Sequence, residues 1–210
     1  MYRFKIIFFG DEACGKTQLV ESIISEGTYQ FNPASSSTIG ANFECKQCSN
    51  DESLVIWDLS GHSRFSMMMP FYYKLAQVAV YCVDLSAPIN TIQIEEQLKK
   101  FQATNKINAP VLLVGTKSDC SPENRCLFDT INTEGVVIKC APTSAKSGEG
   151  IKEFYEALLQ TIAHKVNKST VQTSNKPILD GYSIFGSKAA TSSEALTSNV
   201  ETPISTTLIS

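Results

Sequence analysis

Residues Gly10 to Thr17 read GDEACGKT, and no other stretch narrows the possible folds of this chain as far. They fit G-x-x-x-x-G-K-[ST], and they follow the apolar run Phe4-Lys5-Ile6-Ile7-Phe8-Phe9, which reads as a buried strand. A helical pattern, Gln18-Leu19-Val20-Glu21-Ser22-Ile23-Ile24, opens directly after them. Strand, glycine-bearing loop and helix N-terminus in this order cradle anionic phosphates, because backbone N–H groups converge there with the positive end of the helix dipole. Gly10, Asp11, Glu12, Ala13, Cys14, Gly15, Lys16, Thr17 and Gln18 are the expected contacts. Lys16 adds a point charge for β- and γ-phosphates, and the Thr17 hydroxyl suits a Mg²⁺ site.

The pattern downstream is compatible with such a loop. The connection from Glu26 to Gly40 is rich in Ser, Asn, Pro and Gly, and a loop of that length inside a compact domain is usually functional. Phe43 to Cys48 and Leu54 to Trp57 read as a hairpin around Ser49-Asn50-Asp51. Asp58 stands at the end of the second strand, before the flexible Leu59-Ser60-Gly61-His62. Val78 to Val83 is a continuous apolar run, as in a strand covered on both faces. Ile94, Leu98 and Phe101 have helical spacing. Val111 to Val114 and Val136 to Ile138 read as further strands, with a short helix over Pro122 to Ile131 between them. Ile151, Phe154, Tyr155, Leu158, Leu159 and Ile162 form the cleanest helical stripe. Alternating strands and helices imply βαβ units, a mostly parallel sheet and ligands at the carboxyl ends of its strands.

Composition bounds the rest. At 210 residues the chain allows one domain, expected over 1–166, and a Ser/Thr-rich disordered tail over 167–210. A net charge of −3 gives no nucleic-acid footprint. Seven cysteines without a secretory leader or a membrane-length apolar run make a reduced, cytoplasmic compartment the expectation. Cys45-x-x-Cys48 lacks a second pair at zinc-finger spacing and reads as half-buried strand cysteines.

The nucleotide is read from a second pair of segments. Thr116-Lys117-Ser118-Asp119 follows the strand ending at Val114, and Thr143-Ser144-Ala145-Lys146 follows the next strand. The Asp119 carboxylate can accept from both N1–H and the 2-amino group of guanine, whereas adenine would leave it unpaired, at a cost of roughly 1–3 kcal/mol per buried group. Lys117 can lay its stem along the base, and the Ala145 N–H can contact guanine O6.

With these motifs in order, Tyr2 to His164 resembles the small GTPases of the Ras superfamily, and within them the Rab branch. Thr38-Ile39-Gly40-Ala41-Asn42-Phe43 is similar to the TIGVDF of Rab proteins, Trp57-Asp58-Leu59-Ser60-Gly61-His62-Ser63-Arg64-Phe65 to WDTAGQERF, and Tyr72-Tyr73-Lys74-Leu75-Ala76 to YYRGA. The resemblance implies the P-loop NTPase three-layer α/β fold: a mostly parallel six-stranded sheet with one antiparallel strand and helices on both faces. It implies a monomeric switch that binds GTP and GDP with Mg²⁺ and hydrolyses GTP, in the regulation of vesicle traffic. Thr17, Thr38 and Asp58 would form the metal site, and the Gly61 N–H would sense the γ-phosphate. Phe31 matches the aromatic residue packed on guanine, and Ser144, Ala145 and Lys146 complete the base pocket. Phe43, Trp57 and Tyr72 match an aromatic triad presented to effectors, although core packing would also explain them. Effectors, exchange factors and GTPase-activating proteins would meet residues 26–43 and 61–76.

Several residues depart from the family pattern. Of the expected catalytic group Lys16, Gly61 and His62, the histidine stands where the family has a water-orienting glutamine. Glu12 and Ala13 replace small residues and a glycine in the phosphate loop, and Ser35 stands where a tyrosine is frequent. Slow hydrolysis with retained GTP binding is therefore expected. The C-terminus Thr206-Thr207-Leu208-Ile209-Ser210 carries no prenylation cysteine, so the expectation is a protein without a direct lipid anchor, recruited to membranes through partners. His62, Glu12 and the absent cysteine also fit an alternative, a non-cycling GTP-bound interaction module. A P-loop kinase or ATPase fits Asp119 and Ala145 less well.

Overall fold

The computed structural model of the chain describes residues 2–25, 28–49, 52–131 and 137–173. Strand β1 (Tyr2–Gly10) leads into helix α1 (Lys16–Ile24) across the phosphate loop. The hairpin forms as β2 (Ala41–Gln47) and β3 (Glu52–Leu59), with Phe43 opposite Trp57. Then come α2 (Met69–Tyr73), β4 (Val78–Asp84), α3 (Thr91–Thr104), β5 (Val111–Thr116), α4 (Pro122–Thr130), β6 (Val137–Lys139) and α5 (Ile151–Thr173). The strands make one six-stranded sheet in the order β2-β3-β1-β4-β5-β6. Every pairing is parallel except β2 with β3, as expected.

The two-residue period of the central strands divides the interior in two. Ile6 and Phe8, Val78 and Val80, and Leu112 and Val114 face Leu19, Val20 and Ile23 of α1 and Phe154, Leu158 and Ile162 of α5. Their sequence neighbours Ile7 and Phe9, Ala79 and Tyr81, and Val111 and Leu113 face Met69 and Tyr73 of α2, Ile94, Leu98 and Phe101 of α3 and Phe128 of α4. Continuous apolar runs are therefore required, because both faces of each strand are covered. The parallel strands β1, β4 and β5 end side by side at Gly10, Asp84 and Thr116, which fixes the location of the site.

Some details differ from the sequence reading. Helix α1 begins at Lys16 rather than Gln18, because Gly15 caps it in the left-handed conformation, φ 90°. Helix α5 runs to Thr173, past the expected 166/167 boundary, since no glycine or proline interrupts it. Cys45 is exposed rather than half-buried, because β2 is an edge strand whose face carrying Phe43, Cys45 and Gln47 is uncovered. The expected tail from 174 onward, Glu26 and Gly27, Asn50 and Asp51 of the turn, and 132–136 lie outside the described residues. Among the described residues no helix is long and apolar enough to cross a membrane.

Candidate functional site

The phosphate loop curls around its own lysine. Gly10 leaves β1 at φ 141°, and a Cβ there would lie 2.4 Å from the Cys82 carbonyl oxygen, so no other residue turns the chain out of the sheet at this point. Lys16 is buried, and its Nζ donates to Gly10 O at 3.2 Å and Asp11 O at 2.6 Å, with Cys14 Sγ at 3.6 Å. Thr116 Oγ1 lies between Cys14 O and Val83 O, tying the loop to the ends of β4 and β5. The Asp11 side chain is turned away toward α3, where Gln93 Nε2 donates to its Oδ1 at 2.8 Å. Ala13 holds φ 58°, a left-handed conformation that costs an L-residue roughly 1–2 kcal/mol. Glu12 is exposed.

Beside the loop, three residues from three elements converge. Thr17 of α1 donates to Asp58 Oδ2 at 2.6 Å, and Thr38 donates to the same oxygen at 3.1 Å. The two hydroxyl oxygens are 3.1 Å apart. Asp58 is buried and its Oδ1 has no hydrogen-bond partner among the described residues. Burial pushes its carboxyl above the usual range, against the opposing pull of Thr17, Lys16 and Thr38. A carboxylate with an orphaned oxygen and two adjacent hydroxyls is a hard-oxygen donor set, and it fits a small divalent cation that keeps some of its water. Among the described residues no group of three His, Cys, Asp or Glu side chains forms another metal site.

At the opposite end of the loop lie the expected base contacts. Ser144 Oγ donates to Asp119 Oδ1 at 2.6 Å, and Lys146 Nζ lies 3.9 Å from Oδ2. The Ser144 hydrogen bond chiefly holds the Asp119 carboxyl below its ordinary range. Ser118 is buried and points the other way, donating to Glu149 Oε2 at 2.9 Å, while Arg125 pairs with Oε1 at 2.7 Å. Ala145 is half-buried beside Ser144. Lys117, at φ 56°, sends its Nζ to Asp84 Oδ2 at 2.7 Å.

Both flanking loops touch this frame. The Tyr29 hydroxyl donates to Gln18 Oε1, so the Gln18 side chain anchors the loop toward Thr38. Phe31 is exposed. A Cβ on Gly61 would lie 2.3 Å from Asp11 C and from Glu12 N, so the second loop begins in backbone contact with the phosphate loop. Ser60 N donates to Gly40 O at 2.9 Å, linking the two loops. His62 caps the short 3₁₀ turn Ser63–Phe65, its Nδ1 accepting from Arg64 N at 3.2 Å. A cleft of about 210 Å³ between this loop and α3 is lined by Asp11, Gly61, His62, Tyr73, Gln93 and Lys100 among others. On the outer surface the rings of Phe43 and Trp57 are 5.1 Å apart and those of Trp57 and Tyr72 5.4 Å, so the triad is contiguous. Trp57 also packs on the core, the second of the two roles expected of it.

Asp84, Tyr29, Gln93 and Glu149 enter the site without having been singled out in the sequence. Only Asp84 left a signal, an acid closing an otherwise apolar strand, the same pattern that marked Asp58.

The family model described as the Ras family matches residues 5–164. The chain is 28% identical over 166 residues to the GTP-binding protein ypt5 of Schizosaccharomyces pombe, covering 75% of this chain and 77% of that protein. It is 31% identical over 169 residues to the Ras-related protein Rab-32B of Dictyostelium discoideum, covering 76% of this chain and 64% of that protein.

Proposed function

The chain belongs to the Ras family, and from that premise we propose that it is a guanine-nucleotide switch that binds GTP and GDP and hydrolyses GTP slowly. The observation that carries this reading is the Asp58 carboxylate, which gathers Thr17 from the phosphate-loop helix and Thr38 from the preceding loop on one oxygen. A ligand that engages this corner holds both elements at once. Thr17, Thr38 and Asp58 would hold Mg²⁺, whose chemistry when bound is to neutralise charge on the β- and γ-phosphates. Lys16 binds the phosphates, Asp119 with Ala145 selects guanine, and Lys117 lays its stem along the base. The N–H groups of Thr38 and Gly61 hold the γ-phosphate. Losing that phosphate releases both loops, and partners read the difference.

Slow hydrolysis rests on His62. Because Nδ1 accepts from Arg64 N, the neutral imidazole carries its proton on Nε2. Such a ring donates to a water but accepts nothing from it, so it cannot draw on the proton of an attacking water. Glu12 would oppose the γ-phosphate only with its side chain turned into the site; it is exposed at the loop, where solvent screens its charge. The same arrangement at His62 favours a second reading, a GTP-bound interaction module that does not cycle.

Labelled GDP, GTP and ATP exchange followed by single-turnover phosphate release tests both. Guanine selectivity with a rate well under ~10⁻⁴ s⁻¹ is expected, and a rate at or above the ~10⁻⁴ s⁻¹ of an unassisted Ras-type enzyme overturns the slow switch. No release at all selects the non-cycling module. Effectors, an exchange factor and a GTPase-activating protein would dock on residues 26–43 and 61–76, around the Phe43, Trp57 and Tyr72 rings. By likeness to Rab proteins the setting is vesicle traffic, with a cytoplasmic monomer brought to membranes by its partners.

A further inference from the structure

We propose that Asp84 is a positioning residue for nucleotide retention, acting on the base through Lys117. The inference rests on the guanine-nucleotide reading above. Lys117 comes off the end of β5 in a left-handed conformation, and its Cε passes 3.9 Å from a Cβ built on Gly15. Its stem therefore runs beside the phosphate loop before Nζ reaches Asp84 Oδ2 at 2.7 Å. The parallel register that sets Asp84 beside Thr116 puts the carboxylate one residue from the lysine across the sheet.

Asp84 is itself held. Its Oδ1 accepts from Ser86 N at 2.7 Å and Ser86 Oγ at 2.6 Å, which leaves Oδ2 aimed at the lysine. The side chains are only 19% and 35% exposed, so this pair is screened less than the usual surface ion pair. A lysine with a free ammonium samples many rotamers, and ordering it against a base costs binding free energy. Anchoring Nζ at Asp84 fixes the stem in one path and leaves its methylene face for the purine. Asp119 still chooses the base, while Asp84 governs how long the base stays.

The experiment is release of labelled GDP from the full-length chain, in Asp84→Asn, Lys117→Ala, the double variant and Ser86→Ala. Asp84→Asn keeps an acceptor for Ser86 and removes the charge facing Lys117, so release should quicken about 10-fold. The preference for GDP over inosine diphosphate should not change. Ser86→Ala, which removes one of the two donors holding Asp84, should quicken release less than Asp84→Asn does, and Asp84→Asn should add nothing in the Lys117→Ala background. A wild-type rate for Asp84→Asn, effects that multiply in the double variant, or an altered GDP-to-inosine-diphosphate preference each overturn the proposal. Asp84→Glu, which keeps the charge, should restore slower release, and it reads the same prediction if Asp84→Asn folds poorly; failure to restore counts against the proposal. A wild-type chain that takes up no GDP sinks the nucleotide reading instead, which separates the two failures.

Discussion

Asn105 Nδ2 donates to Tyr73 O at 2.8 Å, so the residue that caps α3 also holds the end of the loop that begins at Gly61. The same amide donates to Ala76 O at 3.0 Å, and Oδ1 accepts from Ile107 N at 3.2 Å and Ala109 N at 3.0 Å. The buried side chain is fully engaged. Asn105→Ala leaves two carbonyls and two N–H groups short of a partner, and stability should fall by about 3 kcal/mol. Urea denaturation reads the loss. Hydrogen exchange should quicken over 61–76 while β4 and β5 stay protected.

Ala13 is the converse case, a residue the local backbone does not suit. At φ 58° it carries a cost that glycine avoids. Ala13→Gly should raise stability by up to about 1 kcal/mol, the relief being partly offset by the freer unfolded chain. An unchanged or lower denaturation midpoint would argue against strain at this position.

Asp58 sets a pH dependence. Its folded carboxyl titrates above the unfolded value near 3.9, so the folded state holds its proton more tightly. The resulting stability is fully present below the unfolded value and is lost as pH rises through the folded one. At neutral pH the cation-free protein bears the burial penalty in full. Asp58→Asn removes that titration, so its stability relative to wild type should be greatest near neutrality and decline as pH is lowered toward 4. Parallel denaturation series for the two proteins, without divalent cations, measure it; curves that stay a constant distance apart contradict the assignment.

Base selection should reside in Asp119. Asparagine presents an N–H where guanine also presents donors, so Asp119→Asn should weaken GDP binding about 100-fold or more. Xanthosine diphosphate, with a carbonyl in place of the 2-amino group, should bind the variant better than the wild type. Equal losses for both nucleotides would place the recognition elsewhere.

His62→Gln restores a side chain that can both accept from and donate to a water. Single-turnover release should then rise at least about 10-fold if His62 is the limiting defect. No rise would move the defect to Glu12, and Glu12→Gly is the variant that separates them.

The elements that were legible in the sequence are those whose signal is local. Val78 to Val83 and Val111 to Val114 announce doubly covered strands by composition alone, and the phosphate loop, the Asp119 segment and Ser144 to Lys146 are contiguous motifs. What escaped depends on register between distant segments. Lys117 meets Asp84 only because β4 and β5 pair Asp84 with Thr116. Gln93 reaches Asp11 from α3, and Tyr29 reaches Gln18 across a loop, with nothing in either neighbourhood to mark the partner. The exposure of Cys45 has no local mark either, because the sequence along a strand does not say whether that strand ends up at the edge of the sheet.

Lys16 donates to Gly10 O and Asp11 O from inside the loop, and this has a kinetic meaning. The lysine acts as an internal guest that keeps the loop wound. A phosphate entering such a loop has no coil to order first. Capture of an anion should therefore approach the rate of diffusional encounter with a rigid concave surface.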